Sequence, residues 1–333
     1  MNFQKIAIIG AGSWGTALAS LWGKDGQEIS LWGNNAARAE QLAKTRESKD
    51  YLPGIKLPDS IRVTSDLGKC CTADLIVFVT PSTVLRSIAG RLREMIGNSH
   101  PTLLSCTKGI EHGKGMRMSE ILEEIFPKQK VAVLSGPNLA AEVARGLPTA
   151  TVIGCQDADC AASLQRFLGR PRFRIYTSDQ IISIELGGAL KNVFAIAAGI
   201  SDGLELGENA KAALVTRSLA ELVRLGQAMG GRAGAFHGLS GVGDLVLTCY
   251  SHNSRNHSVG SRLGKGETAD EIISSMKMVA EGIPTARSAF ECARRLQIDT
   301  PVIDQVYAML YEGKKAAEAL DELLSREQKS EQV

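Results

Sequence analysis

The chain has 333 residues, 44% of them hydrophobic, and a formal net charge of +2 at pH 7. A chain of this length can bury a large core and is expected to form two domains. Its near-neutral charge gives no electrostatic reason to expect nucleic acid or a membrane surface as the main partner.

Cysteines, histidines and apolar runs indicate the class of protein. The seven cysteines form no CxxC pair and Cys70 and Cys71 are adjacent, which favours reduced thiols over a disulfide framework. His252 and His257 are five residues apart, whereas two histidines that bind a metal from one helix face are four apart. We therefore expect no metal. No apolar run reaches the ~20 residues of a membrane span. We therefore expect a soluble, cytoplasmic protein.

The first apolar run, Lys5–Ile9, leads directly into Gly10-x-Gly12-x-x-Gly15, and a helical stretch follows. A strand, a glycine turn and a helix in this order are typical of the first unit of a dinucleotide-binding fold. Gly10 permits the tight turn, Gly12 lets the backbone approach a pyrophosphate, and Gly15 lets the helix pack close to the strand. The sequence therefore predicts a dinucleotide site, and the structural alternative is an ordinary strand-to-helix turn.

Eight short strand-like runs alternate with helical ones through the first half of the chain. Many are continuously apolar, as strands buried on both faces are, so we expect a mostly parallel sheet with helices on both sides. The runs are Lys5–Gly10, Glu28–Trp32, Ile61–Asp66, Asp74–Thr80, Thr102–Cys106, Val131–Gly136, Thr149–Gly154 and Phe173–Thr177.

The pattern changes at about Ser178, after which only helices are predicted. The fold class is therefore α/β, with an N-terminal Rossmann-like, mostly parallel sheet followed by an all-helical C-terminal domain. We place the first domain at 1–178, the second at 179–325 and a polar tail at 326–333. The predicted helices are Gln180–Leu206, Lys211–Met229, Leu245–Ser251, Ala269–Met276, Glu281–Leu296 and Pro301–Tyr311.

Residues after the second predicted strand bear on the choice of cofactor. Sites that prefer NAD usually carry an acidic residue about 20 residues past the glycines. Asn34 and Asn35 stand there instead, with Arg38 close behind. Without a carboxylate to repel it, a 2′-phosphate is tolerated and Arg38 could pair with it. We expect NADPH, or both NADPH and NADH, as cofactor; the alternative for Arg38 is a solvated helix residue.

Ligands of such sheets bind beyond the carboxyl ends of the strands. The fifth predicted strand is followed by Lys108, for which a surface lysine without a role is the alternative. The sixth leads into Gly136 and Asn138, and the glycine lets backbone approach a ligand.

Lys191 lies in the long helix predicted from Gln180, on a face of small and apolar residues. Glycines inside a helix cost about 1 kcal/mol each relative to alanine, which predicts that another segment passes close by. The lysine then reaches water, pairs across an interface, or acts as a general acid/base whose pKa is lowered by burial or by a second cation such as Lys108. Its neighbours three and four positions away are Gly187, Gly188, Phe194 and Ala195.

Polar residues cluster again between positions 244 and 256. Asp244 begins a predicted helix, where a carboxylate is often only a cap, and Thr248 lies one turn later on the same face. Ser254, Arg255 and Asn256 combine a hydroxyl, a guanidinium and an amide, which are donors that suit a phosphate or carboxylate ligand.

Seven motifs occur in an order that resembles the NAD(P)-dependent glycerol-3-phosphate dehydrogenases of the bacterial biosynthetic type, from Ile6 to about Leu310. The resemblance implies a soluble, usually dimeric enzyme that interconverts dihydroxyacetone phosphate and sn-glycerol 3-phosphate and so supplies the glycerol backbone of membrane phospholipids. The motifs are Gly10–Ala19, Ser105–Gly109, Ser135–Pro137, Glu185–Asn192, Gly241–Leu245, Ser254–Asn256 and Val279–Gly282.

The resemblance implies that Lys191 exchanges a proton with the C2 oxygen of the substrate, with Lys108 and Asp244 as flanking catalytic residues. Substrate-binding residues are then Lys108, Gly136, Lys191, Asp244, Thr248, Ser254, Arg255 and Asn256. Cofactor-binding residues, from the resemblance and the glycine and strand-end motifs together, are Gly10, Gly12, Ser13, Trp14, Gly15, Asn34, Asn35, Arg38, Lys108, Asn138, Ala140, Arg255, Val279 and Glu281. Family members commonly have a histidine or a basic residue where this chain has Asn34 and Asn35, so the NADH to NADPH preference stays open.

Two other functions remain open. A dehydrogenase of the same build could act on a 3-hydroxy acid or on ketopantoate, substrates that lack the phosphate of glycerol phosphate. A noncatalytic dinucleotide sensor is the alternative from another class, but it would not need the proton-transfer residues Lys108, Lys191 and Asp244.

Overall fold

The chain forms two compact units. The structure, a computed structural model, describes residues 3–23, 27–276, 278–328 and 330–331. The unit we name the sheet unit consists of Met1–Thr107 and Arg117–Glu185, and the helical unit consists of Lys108–Met116 and Leu186–Val333. The domain limits given above stay a prediction, and residues 329, 332 and 333 of the tail predicted at 326–333 lie outside the described residues.

Eight strands form one sheet in the sheet unit. They are β1 (Lys5–Ile9), β2 (Glu28–Trp32), β3 (Ile61–Thr64), β4 (Leu75–Phe78), β5 (Thr102–Ser105), β6 (Val131–Ser135), β7 (Thr149–Gly154) and β8 (Phe173–Ser178). The strand order is β3-β2-β1-β4-β5-β6-β7-β8, and β6–β7 is the one antiparallel pair among these neighbours. The predicted fold class is confirmed, and the predicted strands end within one or two residues of the observed ones.

Helices cover the apolar faces of this sheet. Every residue of β4, β5 and β6 is buried, which explains why their sequences are almost uninterruptedly apolar. Asn35 and Asp157 are N-caps of two of these helices, and the side chain of each accepts a hydrogen bond from a backbone N–H in the first turn. The helices are α1 (Ser13–Gly23), α2 (Ala36–Thr45), α3 (Ser82–Met95), α4 (Met118–Ile125), α5 (Ala140–Ala144) and α6 (Ala158–Leu168).

The glycine turn between β1 and α1 is required by the close approach of backbone segments. Gly10 has φ +127°, and a Cβ atom there would lie 2.6 Å from the Val79 carbonyl oxygen. A Cβ atom on Gly15 would overlap the carbonyl oxygen of Gly10, whereas one on Gly12 would meet nothing within 4 Å. Two of the glycines are therefore needed by the protein's own packing, and Gly12 leaves space open above α1.

Glu185, the last residue of the sheet unit and the first of the motif Glu185–Asn192, has a structural role. It is buried, and its carboxylate accepts hydrogen bonds from Arg117 Nη1 at 2.9 Å and from the Ser119 hydroxyl at 2.6 Å. Burial raises the pKa of Glu185, and Arg117 opposes that shift. The carboxylate therefore ties the start of the following helix to the start of α4.

Helices alone form the helical unit over the residues that the structure describes. They are α7 (Ile181–Gly203, which begins in the sheet unit), α8 (Gly207–Ala228), α9 (Asp244–Tyr250), α10 (Arg255–Gly264), α11 (Ala269–Ser275), α12 (Gly282–Arg295), α13 (Pro301–Tyr311) and α14 (Ala316–Leu324). All six predicted helices are present, and α10 and α14 were not predicted. The first turn of α10 is polar, so the apolar periodicity that predicts a helix is absent there.

Glycines let α10 lie directly on the backbone of α7. A Cβ atom on Gly199 would overlap the His257 carbonyl oxygen, and one on Gly260 would overlap the Ile196 carbonyl oxygen. A Cβ atom on Gly203 would lie 2.9 Å from the Cα atom of Gly264. The separation of the two helices is therefore set by main-chain contact.

The expectation that no apolar run reaches the length of a membrane span is wrong for helix α7, which is long and apolar enough to cross a membrane and is the one such helix among the described residues. Of its apolar window, 94% is buried within the protein. A core helix has these same properties, so the helix is weak evidence for a membrane span.

We expect Gly15→Ala to lower the stability of the protein, because the new methyl group overlaps the Gly10 carbonyl oxygen and displaces α1 from β1. The cost should be about 1–3 kcal/mol. Gly12→Ala is the matched control and should change the free energy of unfolding by less than about 0.5 kcal/mol, because its methyl group meets open space. Urea unfolding followed by circular dichroism measures both, and equal stability of the two variants would contradict the packing argument.

Candidate active site

A buried carboxylate joins two lysines in the helical unit. Asp244 Oδ1 lies 2.9 Å from Lys191 Nζ, and Asp244 Oδ2 contacts Lys108 Nζ. The side chain of Asp244 is 2% exposed and that of Lys191 is 9% exposed. One carboxylate thus serves two ammonium groups at a site that is mostly shielded from water.

Three segments bring this group together. Lys191 lies within α7, Asp244 is the first residue of α9, and Lys108 begins the segment 108–116 that follows β5. A Cβ atom on Gly187, one turn before Lys191, would lie 2.7 Å from the Ser240 carbonyl oxygen. The close segment predicted from the glycines of α7 is therefore the turn that leads into α9.

Thr248 fixes the orientation of the Lys191 ammonium. Lys191 Nζ donates to Thr248 Oγ1 at 2.7 Å, and the Thr248 hydroxyl donates to the Asp244 carbonyl oxygen at 2.6 Å. The hydrogen of the Thr248 hydroxyl is thus donated within α9, and the hydroxyl oxygen is left to accept from the lysine. Asp244 and Thr248 accept two of the three ammonium hydrogens, so these contacts leave one hydrogen for a further acceptor.

Burial lowers the pKa of Lys191 from its usual 10.5 to about 8. Loss of hydration is the main cause; the charge of Asp244 opposes it, and the charge of Lys108 adds to it. Both causes foreseen from the sequence, burial and a second cation, are present. A lysine with this pKa can give and take a proton near neutral pH, as a general acid/base must.

Helix α10 presents its first turn and Arg255 as donors. The Ser254 hydroxyl oxygen accepts the His257 backbone N–H at 3.3 Å and so caps the helix. Arg255 is exposed, and its Nη1 donates to the Val279 carbonyl oxygen at 2.9 Å. Backbone N–H groups at a helix start together with a guanidinium are well suited to bind a phosphate.

Asn256 has a structural task in addition to its predicted ligand contact. Its Nδ2 donates to Asn192 Oδ1 at 2.8 Å, and its Oδ1 accepts the Gly282 backbone N–H at 2.9 Å. The amide therefore ties α7, α10 and α12 together beside Lys191. One hydrogen of its NH2 group is not used by these two bonds and is left for a ligand.

The glycine turn in the sheet unit fits a pyrophosphate. Nothing lies within 4 Å of the place that a Cβ atom on Gly12 would occupy, and α1 begins next to it at Ser13. Trp14, partly buried, packs against the core under the sheet. The N–H groups at the start of α1 and the open space above Gly12 are the features that a dinucleotide phosphate needs.

Further polar groups at the carboxyl ends of the central strands have no partner among the described residues. Asn138 Oδ1 accepts from Thr151 at 3.0 Å, but its Nδ2 is buried without a hydrogen bond. Gly136 has φ +144°, and Ala140 is the first residue of α5. Buried donors normally find a partner, so this edge fits a polar ligand. The unpartnered hydroxyls here are those of Thr80, Ser105 and Ser135.

The residues that follow β2 are partly engaged with one another. Asn34 is exposed, and the Asn35 side chain accepts the Arg38 backbone N–H at 3.0 Å as the cap of α2. Arg38 Nη1 donates to the Tyr51 hydroxyl at 2.6 Å, and its guanidinium lies 5.7 Å from the centre of that ring. The sequence analysis missed Tyr51, because nothing in the pattern links a loop tyrosine to an arginine 13 residues earlier.

The structure thus joins Lys108, Lys191, Asp244 and Thr248 in one hydrogen-bonded group and places Arg255 on Val279. Other predicted site residues of the helical unit are Ser254, Asn256 and Glu281. The predicted site residues that belong to the sheet unit are Gly10, Gly12, Ser13, Trp14, Gly15, Asn34, Asn35, Arg38, Gly136, Asn138 and Ala140.

Two family models together match most of the chain. The model of the N-terminus of NAD-dependent glycerol-3-phosphate dehydrogenase matches residues 5–161, and the model of the C-terminus of the same family matches residues 180–321. The chain belongs to this family. The resemblance drawn from the seven motifs is thereby confirmed, and the protein is an oxidoreductase with a nicotinamide dinucleotide as cofactor.

Individual relatives agree over both units. A glycerol-3-phosphate dehydrogenase (NAD(P)+) from Syntrophotalea carbinolica is 46% identical over 98% of this chain and 99% of its own. The enzyme of that name from Fusobacterium nucleatum is 44% identical over 98% of each chain. The crystal structure of glycerol-3-phosphate dehydrogenase from Coxiella burnetii matches with a TM-score of 0.94 at 36% identity and covers 97% of this chain and 99% of its own.

We expect two substitutions around Lys191 to move its pKa in opposite directions. Asp244→Asn removes the charge that holds the proton, so the pKa should fall below about 8; Lys108→Met removes the opposing cation, so it should rise. NMR titration of the protein with 13C-labelled lysine measures both, and a Lys191→Arg variant identifies the signal by its loss. Shifts of the same sign in the two variants would contradict this account of the site.

Proposed function

We propose that the protein reduces dihydroxyacetone phosphate to sn-glycerol 3-phosphate with NADPH or NADH, and catalyses the reverse reaction. The observation that carries the proposal is Lys191, which is buried, has a pKa of about 8 and is held by Asp244 and Thr248. The family supports the substrate, since its relatives carry the name glycerol-3-phosphate dehydrogenase (NAD(P)+).

Lys191 would act on the C2 oxygen of the substrate. A nicotinamide dinucleotide, held by the glycine turn, supplies a hydride to C2 when it is bound. As negative charge grows on the C2 oxygen, the Lys191 ammonium stabilises it and then gives it the proton. Asp244 and Thr248 keep the ammonium in place during this step, and Lys108 supplies a second positive charge near the same oxygen. In the reverse reaction, neutral Lys191 takes the proton from the hydroxyl.

The phosphate of the substrate would bind at the start of α10. Arg255 and the first backbone N–H groups of α10 offer charged and neutral donors, and Ser254 and Asn256 are further candidates for contact. Phosphate binding at a distance from C2 holds the carbonyl in reactive geometry. Ketopantoate and 3-hydroxy acids would place a carboxylate there instead, and the names of the relatives favour the phosphorylated substrate.

Cofactor choice, cell compartment and assembly belong to the same proposal. Arg38, which donates a hydrogen bond to Tyr51, would pair with the 2′-phosphate of NADPH. Because Asn34 and Asn35 stand where NAD-preferring sites carry a carboxylate, the site would accept NADPH as well as NADH. Resemblance to the bacterial biosynthetic enzymes supports a cytoplasmic homodimer whose product enters glycerophospholipid synthesis. Val279 and Glu281 are proposed cofactor contacts on the same ground.

The deciding experiment is oxidation of NADPH and of NADH by the purified protein in the presence of dihydroxyacetone phosphate. We expect turnover with both cofactors or with NADPH, and the ratio of the two kcat/KM values measures the preference. Lys191→Ala should abolish turnover while the Kd of the cofactor is retained, because the lysine acts on the substrate oxygen. Lys314→Ala, which removes another paired lysine of the helical unit, is the control and should remain active.

Two results would overturn the assignment. Near-normal turnover of Lys191→Ala would remove the lysine from the mechanism. Binding of both cofactors without any oxidation would leave the dinucleotide site in place and reject the substrate, and ketopantoate and 3-hydroxy acids would then be assayed.

The two directions of the reaction should have opposite pH dependence. Reduction needs protonated Lys191, so its kcat should fall as the pH rises through about 8, and oxidation needs the neutral amine, so its kcat should rise over the same range. Initial rates with saturating substrates, measured in both directions on one enzyme preparation, give the two profiles. Profiles that change in the same direction would contradict a single acid/base lysine.

We expect Arg255→Ala to raise the KM for dihydroxyacetone phosphate by about thirtyfold or more, because a charge-assisted bond to phosphate is lost. The kcat/KM for unphosphorylated dihydroxyacetone should change little. Arg262→Ala is the control, since Arg262 lies on the same helix but pairs with Glu267. An unchanged KM in the Arg255 variant would reject its phosphate role.

A further inference from the structure

A second cluster of polar and charged side chains contacts the first turn of α10. Asp202 Oδ2 is 2.7 Å from Lys211 Nζ and 2.7 Å from His257 Nε2. Lys211 is 4% exposed and His257 is 3% exposed, so both groups depend on this carboxylate. We call these three side chains the Asp202 cluster. It joins the end of α7, the start of α8 and the start of α10.

The Asp202 cluster holds both ends of the loop 251–254. Tyr250, the last residue of α9, places its ring centre 4.7 Å from Lys211 Nζ, and His257, in the first turn of α10, bonds to Asp202. The loop connects the helix of the catalytic carboxylate to the helix that starts with Arg255. The two ends of the loop are therefore attached to one ion pair.

The cost of burial argues for a directional role. Removing a charge from water is unfavourable, and apolar residues of similar volume would often stabilise the protein equally well. Charge-assisted hydrogen bonds add defined length and direction. His257 is fixed twice, by its backbone N–H on Ser254 Oγ and by its ring on Asp202, so the rotation of the first turn of α10 about its axis is fixed as well.

The same carboxylate and two imidazoles are also a candidate for metal binding. Ligand atoms of Asp202, His252 and His257 lie within 4.8 Å of one another. The Lys211 ammonium, however, already lies 2.7 Å from Asp202 Oδ2. Because this ammonium would repel a metal cation bound to the same carboxylate, the geometry favours positioning over metal binding.

We propose that Asp202 is a positioning residue for substrate phosphate, which holds the first turn of α10 through His257 and Lys211 so that Arg255 faces the phosphate. The proposal rests on the proposed function, since it assigns the phosphate to Arg255. Asp202 itself touches neither substrate nor cofactor in this account. Its effect is therefore on the affinity for phosphate and not on the proton transfer at Lys191.

The test is Asp202→Asn, which keeps the size of the side chain and removes its charge. We expect the KM for dihydroxyacetone phosphate to rise about tenfold, with kcat changed by less than about twofold. The kcat/KM for dihydroxyacetone, which has no phosphate, should stay at the value of the unaltered protein. Asp304→Asn is the matched control: its side chain is 24% exposed, against 25% for Asp202, and it also pairs with one cation, Arg294. It should leave both constants unchanged.

A double-mutant cycle separates positioning from a general structural effect. In the Arg255→Ala background, Asp202→Asn should raise the KM by much less than it does in the unaltered protein, because most of its effect passes through Arg255. His257→Phe should raise the KM as Asp202→Asn does, and His257→Gln, which keeps a side-chain N–H donor, should recover most of the affinity.

Three outcomes would overturn the inference. They are an Asp202→Asn enzyme with unchanged KM, an increase that simply adds to that of Arg255→Ala, and an equal loss of activity toward dihydroxyacetone. Failure of the proposed function is recognised separately, since the unaltered protein would then oxidise neither cofactor with dihydroxyacetone phosphate, and the inference would fall with it.

Discussion

The need to neutralise buried ammonium groups governs the helical unit. Asp244 serves Lys191 and Lys108 at once, and each lysine comes from a different part of the chain. The carboxylate can do this only because α9 starts where the glycine-containing turn passes against Gly187 of α7. The contacts among these charged groups thus depend on the main-chain packing of α7, which brings them to hydrogen-bond distance. The lowered pKa of Lys191 follows from the same burial.

Much of the sheet unit could be predicted from the sequence. Uninterrupted apolar runs such as Leu75–Phe78 have only one stable place, between two layers of helices, and the glycine turn gave the position of α1. The antiparallel pairing of β7 could not be read from its residues, because a strand buried on both faces has the same composition in either direction. Helix α10 was missed for a different reason: glycine and main chain make its contacts with α7, so its buried apolar face is reduced to Val259 and Leu263.

The candidate site was predictable as a set of residues but not as an arrangement. Lys191 among glycines and Asp244 at a helix start could be singled out, yet nothing in their spacing says that one carboxylate serves both lysines. Asn256 has the donors of a ligand-binding residue, and the structure uses most of them to tie helices together. Its amide is therefore both a scaffold and a candidate contact. Tyr51 and Asp202 act through a neighbouring side chain, and sequence spacing carries no information on such long-range pairs.

The direct contact of α7 and α10 has a consequence for which substrates fit. Lys191 and the start of α10 belong to two helices that cannot approach more closely, because glycine backbone meets backbone at Gly199, Gly203, Gly260 and Gly264. In the proposed mechanism these two helices carry the proton-transfer group and the phosphate-binding turn, so main-chain contact sets the distance between them. A ketone with one carbon more or fewer between carbonyl and phosphate would then reach only one of the two. On this proposal the main chain, rather than the side chains of the pocket, selects substrates by their length.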